Sequence, residues 1–230
     1  MTGIPVRIKR LFRLRFAILY PLGLYGLFFS NTTDASIRAG LWLIIPGVLL
    51  RLLSNAYAVK TERLTTCGPY AYLRNPLYLG TILIFLGFIV LLHIYWAGLV
   101  TLLVFSFAYR RTIRAEEGQL EQIYGQVYRD YKRNVPSILP RLTPYLAGEK
   151  WGFSFERLRR SKEHKVFVWL FVVIVALHVR SEILIEREGV DLRLGLLMAF
   201  AVGLICLDVL SEFFAKHHSS SGPDHDEWCS

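Results

Sequence analysis

Apolar residues in this chain gather into long runs, separated by short polar segments that are mostly basic. The runs fall at about 14–30, 37–54, 77–93, 95–110, 164–185 and 192–214. A helix needs roughly 20 mainly apolar residues to cross a bilayer. The pattern therefore predicts an all-α integral membrane protein with about six transmembrane helices. The third and fourth runs are parted only by the His93–Tyr95 corner, which predicts a tight antiparallel hairpin. The first run is short, and Pro21 would bend it.

After the fourth run the period changes. In RAEEGQLEQIYGQVYRDYKRNVPSILP, which starts at Arg114, apolar or aromatic residues fall at Leu120, Ile123, Tyr124, Val127, Tyr128 and Tyr131. Spacings of three and four place them on one face of a helix that ends before Pro136. Gln119, Gln122, Gln126, Arg129, Lys132 and Arg133 take the other face. Periodicity alone reads this as an amphipathic helix lying on the bilayer. The last residues, 217–230, are polar and predicted to be disordered; His217, His218 and His225 belong to that solvated tail.

Composition agrees with a membrane protein. Apolar residues make up 53% of the 230 and aromatics 14%, and the mean hydropathy is +0.38. The formal charge of +9 would point to nucleic acid only if it formed a separate soluble module. Here the basic residues flank apolar runs, so they set topology and attract anionic headgroups. Arg7, Lys9, Arg10, Arg13 and Arg15 precede the first run; Lys60, Arg63 and Arg74 separate the second from the third. A third, larger basic group lies between the fourth and fifth. Both termini are thus predicted to be cytoplasmic. The basic N-terminus followed by an apolar run resembles a signal peptide, but no small-residue cleavage site follows, so a retained helix is expected. Cys67, Cys206 and Cys229 are too scattered for a disulfide framework or a metal site, and no metal is expected.

The chemistry concentrates in GPYAYLRNPLYLG, Gly68 to Gly80. Gly-Pro starts a turn, and Arg-Asn-Pro stops any helix at Leu73 or Arg74. Pro76 can then open the next helix as its first residue. This leaves free N–H groups and the Asn75 amide at a helix N-terminus, where anionic groups bind well. A plain turn with Tyr70, Tyr72 and Tyr78 as interfacial anchors is the bland reading. The hairpin returns Arg110, Arg111, Arg114, Glu116 and Glu117 to the same end. Arg111, Arg114 and Glu117 recur at three-residue spacing on one helix face. Two glutamates among arginines suit either surface pairing or a ligand bearing both an amine and a carboxylate. No Walker loop, HExxH, Ser-His-Asp set or GxGxxG is present.

Two motifs in order, GPYAYLRNPLYLG and EEGQLEQIYGQVYRDYKRNVPSILP, resemble the isoprenylcysteine carboxyl methyltransferase and phospholipid methyltransferase superfamily. Its pattern is G-P-Y-x-x-x-R-H-P-x-Y-x-G, then E-E-x-x-L-x-x-x-[FY]-G-x-x-Y-x-x-Y-x-x-x-V-P. The resemblance covers about residues 50–140, and Asn75 stands where the pattern has histidine. Asparagine keeps hydrogen bonding but carries no charge and is no base.

The resemblance implies an integral membrane methyltransferase. S-adenosylmethionine would bind at the cytoplasmic face, and a lipid or lipophilic small molecule would accept the methyl group on a carboxylate, amine or thiol. Carried over residue by residue, Tyr70, Arg74, Asn75, Tyr78 and Gly80 line the cofactor pocket, Glu116 and Glu117 face them, and Tyr128 and Tyr131 close it. Arg111, Arg114 and Glu117 are assigned to catalysis, the arginines by orienting an acidic acceptor.

The expected organisation is a four-span core over 1–150, a two-span extension over 151–216 and the tail. The extension offers a homo-oligomer contact and carries Asp208 within a membrane span. Two other readings stand beside this one. An NADPH-dependent sterol reductase has a similar Arg-His-Pro stretch, but the Glu-Glu pair ahead of Tyr-Gly favours the methyltransferases. A non-catalytic membrane scaffold draws support from Asn75.

Overall fold

A computed structural model describes residues 32–59, 63–161, 163–182, 192 and 195–207. The first predicted span, Lys60, the 186–191 loop, Asp208 and the tail lie outside the described residues. Those described are helical or irregular, with no strand among them. They divide into two compact units, one ending at Glu163 and the other beginning at His164.

In the first unit, α1 runs Asp34–Tyr57 and α2 runs Pro76–Leu91, joined by a segment containing a short 3-10 turn, Gly68–Ala71. A reciprocal cap starts α1: the Ser36 N–H donates to Thr33 Oγ1 at 3.2 Å, and the Thr33 N–H donates to Ser36 Oγ at 3.0 Å. The Ser36 hydroxyl also donates to the Leu91 carbonyl at 2.9 Å, fastening the start of α1 to the end of α2. The helices are therefore antiparallel neighbours.

Their contact is made by glycine. A Cβ on Gly47 would lie 2.8 Å from the Gly80 carbonyl oxygen, and one on Gly40 would lie 2.7 Å from that of Gly87. Two crossing points thus bring backbone against backbone, the way helices gain contact where lipid removes the hydrophobic drive between them. Near the other end of the pair, Arg51 Nη1 donates to Thr81 Oγ1 at 2.6 Å, which satisfies a cation inside an otherwise apolar helix.

Pro76 is the first residue of α2, as the sequence predicts. The corner after α2 is tight, with His93 in the left-handed region at φ 55°. Then α3 runs Tyr95–Tyr124 for 30 residues, about 45 Å at 1.5 Å per residue. The predicted fourth span therefore continues unbroken past residue 110 through both glutamates. Facing rings separate α2 from α3: Tyr78, Phe105, Tyr109 and Ile113 form a buried cluster with Ile82 and Phe85 packed on it.

The predicted amphipathic helix is not one helix. Gly125, at φ 55° and ψ −123°, ends α3 and starts α4, Gln126–Asn134. Side chains rarely adopt that conformation, so glycine is required to turn the chain there. The break divides the predicted greasy face. Tyr128, Tyr131 and Val135 are buried with Leu120 and Tyr124 against them, whereas Ile123 and Val127 are each 65% exposed.

The chain then returns along the ends of α1 and α2. The Tyr145 N–H donates to the Ala71 carbonyl and the Arg141 N–H to that of Tyr72, at 2.9 and 3.0 Å. Trp151 Nε1 donates to the Tyr57 carbonyl at 2.8 Å and Arg157 Nε to that of Ala56 at 2.9 Å. These bonds satisfy carbonyls left open by the last turn of α1. A short helix, α5, Phe155–Arg160, follows.

The second unit holds α6, Glu163–Arg180, from its second residue on, and α7, Gly195–Leu207, with Phe171 and Phe200 meeting edge to face at 5.5 Å. Among the described residues α1 is long and apolar enough to cross a membrane, and Pro76–Leu91, Val166–Arg180 and Gly195–Leu207 are shorter apolar helices.

Replacing Gly47 with leucine should lower thermal stability in detergent by about 1–3 kcal/mol through overpacking. Gly118→Ala, where nothing lies within 4 Å of a new Cβ, should not lower it. Equal melting of the Gly47→Leu variant and the parent would contradict the close crossing.

Candidate active site

The broken turn and the end of α3 meet as the motif order suggests. Arg74 and Glu117 form the central pair, with side chains 11% and 9% exposed. Nε of Arg74 donates to Glu117 Oε1 at 3.0 Å, and Nη2 lies 2.9 Å from the same oxygen. Nη1 donates to the carbonyls of Lys132 and Val135, at 2.7 and 2.8 Å. Three of its five donors are thus hydrogen-bonded within the chain, and a second nitrogen lies within ion-pair distance of Glu117. Arg74 caps the C-terminal end of α4 while holding the carboxylate of α3.

Glu117 is well matched in turn. Lys132 Nζ lies 3.6 Å from its Oε2, and Asn75 Nδ2 donates to Oε1 at 3.3 Å. Asn75 Nδ2 also donates to Ser137 Oγ at 3.0 Å, so the amide bridges α3 and the returning chain. A neutral imidazole has one N–H and could not make both bonds. The N–H groups of Arg74 and Asn75, expected to be free, instead donate to the Pro136 and Ser137 carbonyls at 2.9 and 3.0 Å. The returning chain thus covers the turn immediately before α2.

Tyr128 and Tyr131 lie beside this cluster, and the Tyr131 hydroxyl donates to the Tyr70 carbonyl at 2.7 Å. Burial pushes both phenols well above the ordinary tyrosine range. The Glu117 carboxylate adds to the rise at Tyr128 and the neighbouring Tyr70 to that at Tyr131.

Glu116, one residue before the ion pair, has a different setting. The Tyr78 hydroxyl donates to its Oε1 at 2.9 Å. The Tyr78 ring meets Tyr109 edge to face at 5.0 Å; Tyr109 meets Phe105 at 5.3 Å, and Phe105 meets Phe85 at 5.4 Å. Beneath the tyrosines lies an apolar cleft between α2 and α3, lined by Thr81, Ile82, Phe85, Leu102, Phe105 and Tyr109. A carboxylate at the tip of a clustered tyrosine offers a negative charge beside aromatic rings, and the small cleft next to the rings is lined mainly by apolar side chains.

The predicted site residues divide accordingly. Tyr70, Arg74, Asn75, Tyr78, Glu116, Glu117, Tyr128 and Tyr131 come together at one end of α2 and α3. Gly80 does not: it packs against Gly47 and Arg51 of α1, because two residues beyond Tyr78 a helix presents its opposite side. Arg111 and Arg114 are exposed, and neither pairs with the cluster among the described residues; Arg111 stacks over Phe107 at 5.2 Å. Phe85, Phe105 and Tyr109 were missed, since within an apolar run nothing marks a cleft ring from a lipid-facing one. Lys132 was assigned to the polar face, and only the turn at Gly125 swings it to Glu117.

Residues 47–127 match the phospholipid methyltransferase family. This segment is similar to members of the isoprenylcysteine carboxyl methyltransferase and phospholipid methyltransferase superfamily.

Among its relatives is the protein-S-isoprenylcysteine O-methyltransferase of Schizosaccharomyces pombe, 36% identical over 81 residues, 35% of this chain and 34% of that one. The methanethiol S-methyltransferase of Crocosphaera subtropica is 33% identical over 73 residues, 31% of this chain and 27% of its own. The cobalt-zinc-cadmium resistance protein CzcN of Cupriavidus metallidurans is 30% identical over 116 residues, 50% and 53% of the two chains. The alignments thus span about half or less of each relative's length. No solved structure matches the chain.

Removing one partner of a buried ion pair strands the other. Arg74→Met should cost about 3 kcal/mol of stability in denaturant melts. Arg63→Met, which breaks an exposed pair with Glu149, should cost under about 1 kcal/mol. Comparable losses would contradict the central role given to Arg74.

A pH titration gives a second check. The phenols of Tyr128 and Tyr131 stay neutral in the folded chain at a pH where unfolded tyrosines ionise. Their contribution to stability is therefore complete below about pH 10 and is lost as pH rises further. Absorbance at 295 nm should show tyrosines that ionise only on unfolding, fewer by one in Tyr131→Phe. Free titration of all 12 tyrosines in folded protein would contradict the burial.

Proposed function

We propose that this protein is an integral membrane methyltransferase that takes a methyl group from S-adenosylmethionine and gives it to a lipophilic acceptor. The observation that carries the reading is Tyr78–Glu116, a carboxylate held by a phenol whose ring packs on Tyr109 of a small, mainly apolar cleft. The residues fit a sulfonium cofactor in charge, since its positive centre would find the Glu116 carboxylate beside the Tyr78 phenol. When bound, that cofactor supplies an activated methyl group.

The chain itself binds, orients and excludes water. Glu116 attracts the cationic centre, and the Tyr78 hydroxyl fixes its carboxylate. Phe85 and Phe105 guide an apolar acceptor to the same spot. Alignment in a dry site is the main requirement for an in-line displacement, so the absence of imidazole at position 75 is no obstacle. Arg74, Asn75, Glu117 and Lys132 act as positioning residues that hold the end of α3 against the turn. Tyr128 and Tyr131 seal the cluster.

The site end of α2 and α3 is taken as cytoplasmic, from the excess of lysine and arginine there. Residues 1–150 would form the catalytic core and 151–216 a membrane extension. Carboxylate and sulfur acceptors, as the names of two relatives suggest, both suit a cleft that recognises the aliphatic part of its substrate.

Calorimetry on detergent-purified protein tests the reading. S-adenosylhomocysteine should bind saturably and NADPH should not. Glu116→Gln should retain the fold but weaken binding of S-adenosylmethionine itself by about tenfold or more, as loss of a charged partner does. Tyr78→Phe should reduce methyl transfer without changing melting. Binding of NADPH in place of the adenosyl compounds would move the case to a reductase, and binding of neither to folded protein would end the catalytic reading.

A further inference from the structure

The returning chain, residues 136–160, has a surface that the methyltransferase reading does not use. Leu139, Leu142, Leu146, Phe153 and Phe155 are all exposed, Leu142 to 98%. They lie in sequence among basic residues: from Arg133 to Arg160 there are six arginines and lysines against two acids, Glu149 and Glu156. Both acids are already paired, with Arg63 and Arg160. Lys150 and Arg159 are exposed. Large apolar side chains beside cations are not what a segment facing bulk water would select.

Its attachment says where this surface sits. The segment is bonded to the last turn of α1 through Tyr57 and Ala56 and to the turn before α2 through Ala71 and Tyr72. These are the ends of the helix long and apolar enough to cross a membrane and of its antiparallel neighbour. A segment fastened across such ends lies at the depth of the lipid headgroups.

We propose that residues 139–160 form an interfacial platform that docks on an anionic phospholipid leaflet. Leu139, Leu142, Leu146, Phe153 and Phe155 enter the boundary between headgroups and acyl chains, and Lys150 and Arg159 meet the phosphates. The occupant is lipid because the apolar and basic groups alternate along one segment at headgroup depth, the arrangement of a membrane surface ligand. The proposal rests on α1 crossing the membrane and not on the chemistry of the site.

The test uses the full chain in nanodiscs of phosphatidylcholine with and without phosphatidylglycerol. Leu142→Cys, in a Cys67→Ala, Cys206→Ser, Cys229→Ser background, carries a nitroxide. The label should be more accessible to oxygen than to a water-soluble nickel chelate. Lys150→Gln with Arg159→Gln should reduce the phosphatidylglycerol retained around the protein, about fivefold for each charge removed. A label favouring the nickel chelate, or one reached by neither quencher as in a protein interface, overturns the platform. So does equal phosphatidylglycerol retention by parent and variant.

Discussion

Everything at the site end of this molecule depends on one buried ion pair. Arg74 grips the Glu117 carboxylate with one edge and two carbonyls at the C-terminal end of α4 with another. Burying both charges is costly, and the arrangement is tolerable only because Lys132 and Asn75 complete the shell around Glu117. The pair therefore specifies geometry more than it adds stability. It fixes the rotation of α3, and that rotation turns Glu116 toward Tyr78. The neighbouring glutamates thus have different settings, one in the buried ion pair and one bonded to a phenol of α2.

The glycine crossings of α1 and α2 set the other boundary condition. Backbone contact on one side of α2 leaves its other side to Tyr78, Ile82 and Phe85, which hold α3 off at the distance of facing rings. A close contact and an aromatic spacing on opposite sides of one helix make a cleft without a cavity being cut into a core.

The sequence made the helices readable because apolar runs and the Arg-Asn-Pro turn are strong local signals. It also brought Arg74, Asn75, Glu116 and Glu117 together, since a tight corner after α2 can only send α3 back to the same end. What it could not convey was direction. Periodicity put Ile123 and Val127 on the same face as Tyr124 and Tyr128, because a positive φ at Gly125 leaves no trace in a count of threes and fours. Gly80 looked like part of the motif's pocket, yet helical rotation turns it to α1. The pairing of Arg74 and Asn75 with Pro136 and Ser137 is backbone to backbone, and side-chain identity says nothing about it.

That pairing has a consequence for the order in which the molecule assembles. The hydrogen bonds from residues 74 and 75 close on partners about sixty positions later, while the corner between α2 and α3 closes over three. Short loops form before long ones because less chain entropy is lost. Closure of the α2–α3 corner is therefore expected ahead of the bonds to Pro136 and Ser137. Those bonds wait for the ribosome to deliver Val135 to Ser137. Until then the turn before α2 keeps its amide groups open, and the still longer closures of Trp151 and Arg157 on the end of α1 come after it.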